Sequence, residues 1–266
     1  MKRKEKNGWK YVASLIIIVI YLLPIYVLIV MSFKEKTDFS SKLALPEYLY
    51  LENYRKALIE SGFLSAPATV AIVVILGCMA AYPLARNRSR TNDFVKSVCM
   101  GIMMIPSVSI LVGLYTEMVA LKGINKLWSV IIIGAASGLP TAILLYTSFM
   151  TSIPQELDEA AALDGASHLT AFWKIILPQL KPVTATIVIQ QGVGAWNNFL
   201  YPSYFLQKPE KYTLVLLVRQ FFGANDSGGN MNTAAAVAVL STLPIIILYL
   251  CCQKYFVQSQ IDSANK

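Results

Sequence analysis

Six long apolar stretches alternate with polar connections along this chain, and that alternation predicts six membrane-crossing helices. They cover residues 11–33, 67–85, 97–121, 127–150, 183–206 and 233–253. Five of the six contain no Asp, Glu, Lys or Arg, and the third carries only Glu117 near one end. Runs such as Thr69-Val70-Ala71-Ile72-Val73-Val74-Ile75-Leu76 do not alternate in polarity, as strands of a transmembrane barrel would. In lipid, helices are then the structure that satisfies the backbone. The predicted class is all-α, a polytopic membrane protein with six transmembrane helices. Residues 1–266 read as a single membrane domain, with no soluble domain and no internal repeat.

The connections differ in kind. Residues 34–66 form a long loop with Pro46, and Leu51-Glu52-Asn53-Tyr54-Arg55-Lys56-Ala57-Leu58 within it predicts a short amphipathic helix. Residues 122–126 are a tight turn with Gly123 and Asn125. Residues 207–232 end in the turn cluster Asn225-Asp226-Ser227-Gly228-Gly229-Asn230. Residues 152–182 make a connection far longer than two adjacent spans need. There Ser152-Ile153-Pro154-Gln155 predicts a helix start, with Ser152 as cap, Gln155 returning the bond and Pro154 in the first turn. Glu156, Asp158 and Glu159 follow at the positive end of the helix dipole. Ala160, Ala161 and Ala162 are strong helix formers, and Gly165 supplies the left-handed residue that ends the helix. About 12 residues, or about 18 Å, are expected for this first helix. Residues 169–176 predict a second, apolar-rich helix with Phe172, Trp173, Ile175 and Ile176, stopped by Pro178 and Pro182. The segment reads as a rigid lever on one membrane face.

Composition agrees: 56% of residues are hydrophobic and 14% charged, against roughly a quarter charged in soluble domains. The net charge of +8 does not indicate nucleic acid, because the basic residues flank spans. Lys2, Arg3, Lys4, Lys6 and Lys10 precede the first, and Arg86, Arg88, Arg90 and Lys96 lie between the second and third. Such clusters mark the cytoplasmic side. Both termini and the 152–182 segment are then expected in the cytoplasm, in a multi-pass membrane protein. The first apolar run is too long for a secretory signal and is expected to remain as an anchor. Cys78, Cys99, Cys251 and Cys252 all lie inside predicted spans, and His168 is the one histidine, so no metal site is expected. The chain has no Gly-x-x-x-x-Gly-Lys-[Ser/Thr] loop for nucleotide phosphates. It is not expected to be an enzyme.

Gln190, Gln191, Trp196, Asn197 and Asn198 cluster in the fifth span, with Gly192 and Gly194 allowing a bend. Aromatic faces stack on the CH faces of a sugar and amides bond its hydroxyls. Gln191, Trp196, Asn197 and Asn198 are therefore candidates for a substrate pathway. Hydrogen bonding between helices is the competing role for such amides. Glu117 reads as an interface residue rather than a buried carboxylate.

Glu159, Ala160, Ala161, Asp164, Gly165, Ala166, Ile175, Leu177 and Pro178 carry the pattern Glu-Ala-Ala, three residues, Gly, nine residues, Ile-x-Leu-Pro. This resembles the coupling segment of bacterial ABC importer permeases. Together with Pro46, Glu52-Asn53-Tyr54 and Trp196-Asn197-Asn198-Phe199-Leu200, the whole chain resembles permease subunits of carbohydrate importers. The maltose-type subunit without an extra outer domain is the nearest class. The resemblance implies the type I ABC importer permease architecture, a second homologous permease subunit and two copies of an ABC ATPase, each holding one coupling helix. It also implies an extracytoplasmic solute-binding protein that delivers a sugar or oligosaccharide, and alternating access of the spans. This chain would hold no cofactor, since ATP and Mg²⁺ would be bound by the partner ATPase. Glycerol-phosphate or polyamine is the alternative cargo; the first would want basic residues within the spans and the second acids, and only Glu117 is present. An ion-coupled secondary transporter would show internal repeats and membrane-embedded ionisable groups, and neither is evident.

Overall fold

The computed structural model describes residues 8–59, 62–223 and 230–264. The basic residues before Gly8 and most of the 225–230 turn cluster lie outside the described residues. Four of the six predicted spans are unbroken apolar helices of bilayer-crossing length among the described residues: Trp9–Ser32, Ser65–Arg86, Leu127–Thr151 and Met231–Gln253. No described residue is in a strand.

Two compact units emerge, one drawn from residues 1–61 and 214–243, the other from 62–213 and 244–266. The first unit contains α1 (Gly8–Ser32) and α2 (Glu52–Ile59). Alpha-helix α1 leaves its apolar side chains exposed almost continuously from Trp9 to Ile25, and only Val30, Met31 and Ser32 at its end are buried. A helix apolar all round is stable only with lipid or protein about it. The predicted amphipathic segment is α2, one residue shifted. Its Asn53 is buried, at 1% exposure, together with the polar residues Ser32, Lys34 and Thr233. The Asn53 amide donates to the carbonyls of Ser32 (3.0 Å) and Lys34 (2.9 Å), just where α1 runs out of partners, and its oxygen accepts from Thr233 Oγ1 (2.9 Å). Tyr54 adds a hydroxyl contact to Ser32 (2.6 Å). On the exposed side of α2, Arg55 forks onto Glu52 and holds its carboxyl below the usual range. Asn53→Ala would orphan two carbonyls and a hydroxyl. It should lower stability by about 2–3 kcal/mol, read as a lower thermal-unfolding midpoint in detergent.

The second unit is built on α3 (Ser65–Arg86) and α6 (Leu127–Thr151), which pack along much of their length. Their seam uses small residues: a methyl on Gly77 would stand 3.0 Å from Ala142 Cβ, and Ala81 and Ala135 are buried beside Val73, Tyr146 and Met150. Close backbone approach of this kind replaces the hydrophobic drive that lipid removes. The Tyr146 hydroxyl donates across to Thr184 (3.0 Å).

The third predicted span is not one helix. It divides into α4 (Arg90–Met103) and α5 (Leu111–Ala120). Pro106 disfavours helix at Ile105, and the chain leaves α4 through the short bonds Met104 N–H to Gly101 and Ile105 N–H to Ile102. Mean hydropathy stays high across this break, so an apolar count passes over it. Ser89, not foreseen, caps α4 by accepting from Asn92 N–H (3.2 Å). In the 122–126 turn Asn125 takes the left-handed conformation (φ 61°), and so does Lys122 (φ 55°) rather than Gly123. Gly123 is small for another reason: a methyl there would stand 3.0 Å from the Trp128 ring and 3.1 Å from Met118 sulfur.

The remaining elements are α7 (Glu156–Leu163), α8 (His168–Ala171), a π-helical turn (Phe172–Ile176), α9 (Leu177–Gln179), α10 (Lys181–Trp196), α11 (Leu200–Phe205), α12 (Leu214–Gly223) and α13 (Met231–Ala264). The fifth predicted span is thus interrupted at 197–199. Pro202 has no N–H for the Asn198 carbonyl, so the ladder cannot run straight through. It meets the preceding stretch His168–Gln179 at 75°. Helix α12 returns to the first unit and buries Leu214, Leu216 and Leu217, and α13 begins there with the small buried run Ala234-Ala235-Ala236.

Candidate functional site

The segment 152–182 folds as the sequence implies in outline, with differences in its first cap, in the length of its first helix and in the effect of Pro178. Ser152 does not cap α7. It ends α6 instead, its hydroxyl donating back to the Phe149 carbonyl (2.7 Å). A serine near a free helix carbonyl competes with its own capping role in this way. Gln155 takes the cap position in helical conformation with no side-chain bond. The first helix is accordingly 8 residues, shorter than expected. Its end is as foreseen: Gly165 has φ +78°. Gly165 N–H bonds the Ala162 carbonyl (3.0 Å) and Ala166 N–H the Ala161 carbonyl (2.9 Å), the paired bonds of a Schellman turn. Ser167, not singled out by sequence, then caps the next helix through Thr170 N–H (3.2 Å).

The helix α7 has two faces. Leu157 and Asp158 are half-buried and Ala161 is buried, at 4% exposure. Glu159, Ala160, Ala162, Leu163 and Asp164 are exposed. Of the candidate coupling residues, Glu159, Ala160, Asp164 and Gly165 are therefore open to a partner, Ala166 is half-buried, and Ala161 packs inward.

Ile175 and Leu177 pack on the core that contains Phe172, Ile176 and Leu180, while Pro178 is exposed. Pro178 explains the π-helical turn before it. It has no N–H for the Lys174 carbonyl, and its ring would crowd that carbonyl in an α-helix. The turn widens, and Leu177 N–H bonds five residues back to Phe172. Pro178 therefore distorts the second helix without ending it; the break comes at Leu180, followed by the 75° bend.

The inner face of α7 is held by side chains that sequence reasoning passed over. Arg86, the last residue of α3, places Nη2 2.8 Å from Asp158 Oδ2. Its Nη1 donates to the carbonyls of Met150 (3.1 Å) and Ile153 (2.9 Å). Tyr82, one turn earlier on α3, donates its hydroxyl to Asp158 Oδ1, and its ring lies 5.1 Å from that of Phe172. In the sequence Arg86 registers only as a basic residue flanking a span, and Asp158 only as one of three acids in a first turn.

The four candidate pathway residues do not converge. Gln191 turns toward α6: a methyl on Gly138 would stand 2.3 Å from Gln191 Oε1. Trp196 lines an apolar cavity of about 410 Å³ with Phe63, Val70, Val188, Gly192 and Leu248, and meets Phe63 edge-on at 5.3 Å. Asn197 is exposed at the break in the span. Asn198 accepts from Tyr201 N–H (3.3 Å) and so closes the turn into α11. Glu117 is exposed, as is Gln190. Among the described residues no three His, Cys, Asp or Glu are grouped to hold a metal ion.

Residues 73–261 match the family model described as binding-protein-dependent transport system inner membrane component. A melibiose/raffinose/stachyose import permease of Bacillus subtilis (strain 168) is 35% identical over 260 residues, covering 92% of each chain. A multiple sugar-binding transport system permease of Streptococcus mutans is 32% identical, covering 100% of both chains. The chain also superposes on a crystal structure of a bacterial ABC transporter involved in the import of the acidic polysaccharide alginate. There the TM-score is 0.70 at 22% identity, with 96% of this chain and 99% of that one covered.

Proposed function

Because the chain belongs to the family of binding-protein-dependent transport system inner membrane components, we propose that it imports a sugar or oligosaccharide as one permease subunit of an ATP-driven transporter. The observation that carries this reading is likeness over 92% and 100% of the chain to permeases named for melibiose/raffinose/stachyose import and for multiple sugar-binding transport. In this reading a second homologous permease completes the translocation path, and two copies of an ABC ATPase bind ATP and Mg²⁺. An extracytoplasmic binding protein delivers the sugar, and both termini lie in the cytoplasm.

The geometry supports a division of labour along α7. Its exposed face, with Glu159, Ala160 and Asp164, is small and acidic, suited to seating in a groove of the ATPase. Its inner face is fastened to the spans. ATP binding would bias the spans toward one of two access states, and the sugar shifts that balance only by binding the states unequally. The aromatic wall at Trp196 and the exposed amide of Asn197 are the parts of this chain offered to a neutral sugar.

Uptake into proteoliposomes holding the whole complex and its binding protein tests the proposal. ATP-dependent accumulation of a neutral oligosaccharide such as raffinose is expected. Accumulation of spermidine or glycerol 3-phosphate in its place would overturn the cargo, and accumulation driven by an ion gradient without ATP would overturn the mechanism.

A further inference from the structure

We propose that Tyr82, Arg86 and Asp158 are the positioning residues that transmit movement of α7 to the membrane spans. This rests on the reading of the chain as an importer permease. The carboxylate of Asp158 is held at both oxygens by side chains of a single helix, Arg86 at Oδ2 and Tyr82 at Oδ1. The guanidinium of Arg86 at the same time bonds the carbonyls of Met150 and Ile153, where α6 ends. The Met150 carbonyl otherwise accepts only short turn bonds, among them that from Ile153 N–H (3.1 Å); both carbonyls lie at the negative end of α6, where a cation is favoured. One side chain thus ties the ends of α3 and α6 to the first turn of α7.

Burial makes the connection stiff. The Arg86 and Asp158 side chains are 11% and 17% exposed, so neither charge has ample water to fall back on when the other moves. Glu159, on the exposed face, is the next residue after Asp158. A push received on the outer face therefore passes across the width of one helix to two spans.

Sugar moved per ATP hydrolysed, measured in proteoliposomes with the complete transporter, is the readout. A merely structural role would lower the yield of complex without changing this ratio in the complexes that remain. Asp158→Asn should keep assembly and ATP hydrolysis and lower the ratio by about 10-fold. Asp158→Glu, which keeps the charge, should recover most of it. Tyr82→Phe removes a single hydroxyl and leaves packing intact; it should lower the ratio by about 3-fold and add little in the Asp158→Asn background, as expected for one network. An unchanged ratio in Tyr82→Phe, or in the assembled fraction of Asp158→Asn, would overturn the proposal while leaving the importer reading in place. Failure of the unaltered complex to move any tested solute at the expense of ATP would overturn both.

Discussion

Tyr146→Ala should unfold at a markedly lower temperature in detergent than the unaltered protein, with a loss of about 3 kcal/mol. Tyr146 has no exposed surface and sits where α3, α6 and the start of α10 meet. Truncating a buried aromatic costs about 3–5 kcal/mol in water-soluble cores. In lipid the transfer part shrinks, because apolar surface gains little by leaving hydrocarbon, and lost packing dominates; the low end of that range is therefore expected. The hydroxyl is the smaller part. Tyr146→Phe keeps the ring and gives up only the bond to Thr184, worth about 0.6 kcal/mol between membrane helices. A Phe variant as damaged as the Ala variant would show that the bond, not the ring, holds this junction.

Gly165→Val is the second large effect, and it falls on function. Among the described residues, apart from its two chain neighbours, nothing lies within 4 Å of a methyl built on Gly165, so the space is open. The difficulty is the backbone: at φ +78° a β-branched residue is strained by about 1–3 kcal/mol. Relief comes by abandoning the left-handed turn and with it the two bonds from Gly165 and Ala166 to the end of α7. At about 1.4 kcal/mol per tenfold, the population of the native turn falls by about 5- to 150-fold. Sugar uptake per ATP should fall accordingly, with the spans still folded. Asn tolerates the left-handed region, so Gly165→Asn should keep most of the uptake. Equal uptake in the Val variant would show that the direction of the chain after α7 does not matter to coupling.

What the sequence made legible was what its local chemistry decides. Continuous apolar runs identified the spans, Gly165 identified a left-handed turn, and the Glu-Ala-Ala pattern identified the family. Two kinds of feature were hidden. Breaks inside apolar stretches, at Pro106 and at 197–199, leave hydropathy unchanged while ending the hydrogen-bond ladder. Long-range pairs, such as Arg86 with Asp158, follow no helical period and become visible only when α3 and α6 are laid side by side. Ser152 shows a third limit: a hydroxyl between two helices can serve either, and the completed end of α6 claimed it. The amides of the fifth span show the same ambiguity, since Gln191 is spent on helix packing and Asn198 on a turn.

The buried Asn53 also bears on how the protein is made. Its partner Thr233 follows 180 residues later in the chain, and the whole second unit is encoded between them apart from its final stretch. At about 5–20 residues per second, a ribosome needs roughly 10–40 s after releasing Asn53 before Thr233 exists. Through that interval the amide oxygen of Asn53 lacks its native donor, and residues 62–213 of the second unit have time to pack first. The junction of α1 and α2 is thus completed only when α13 supplies its first turn.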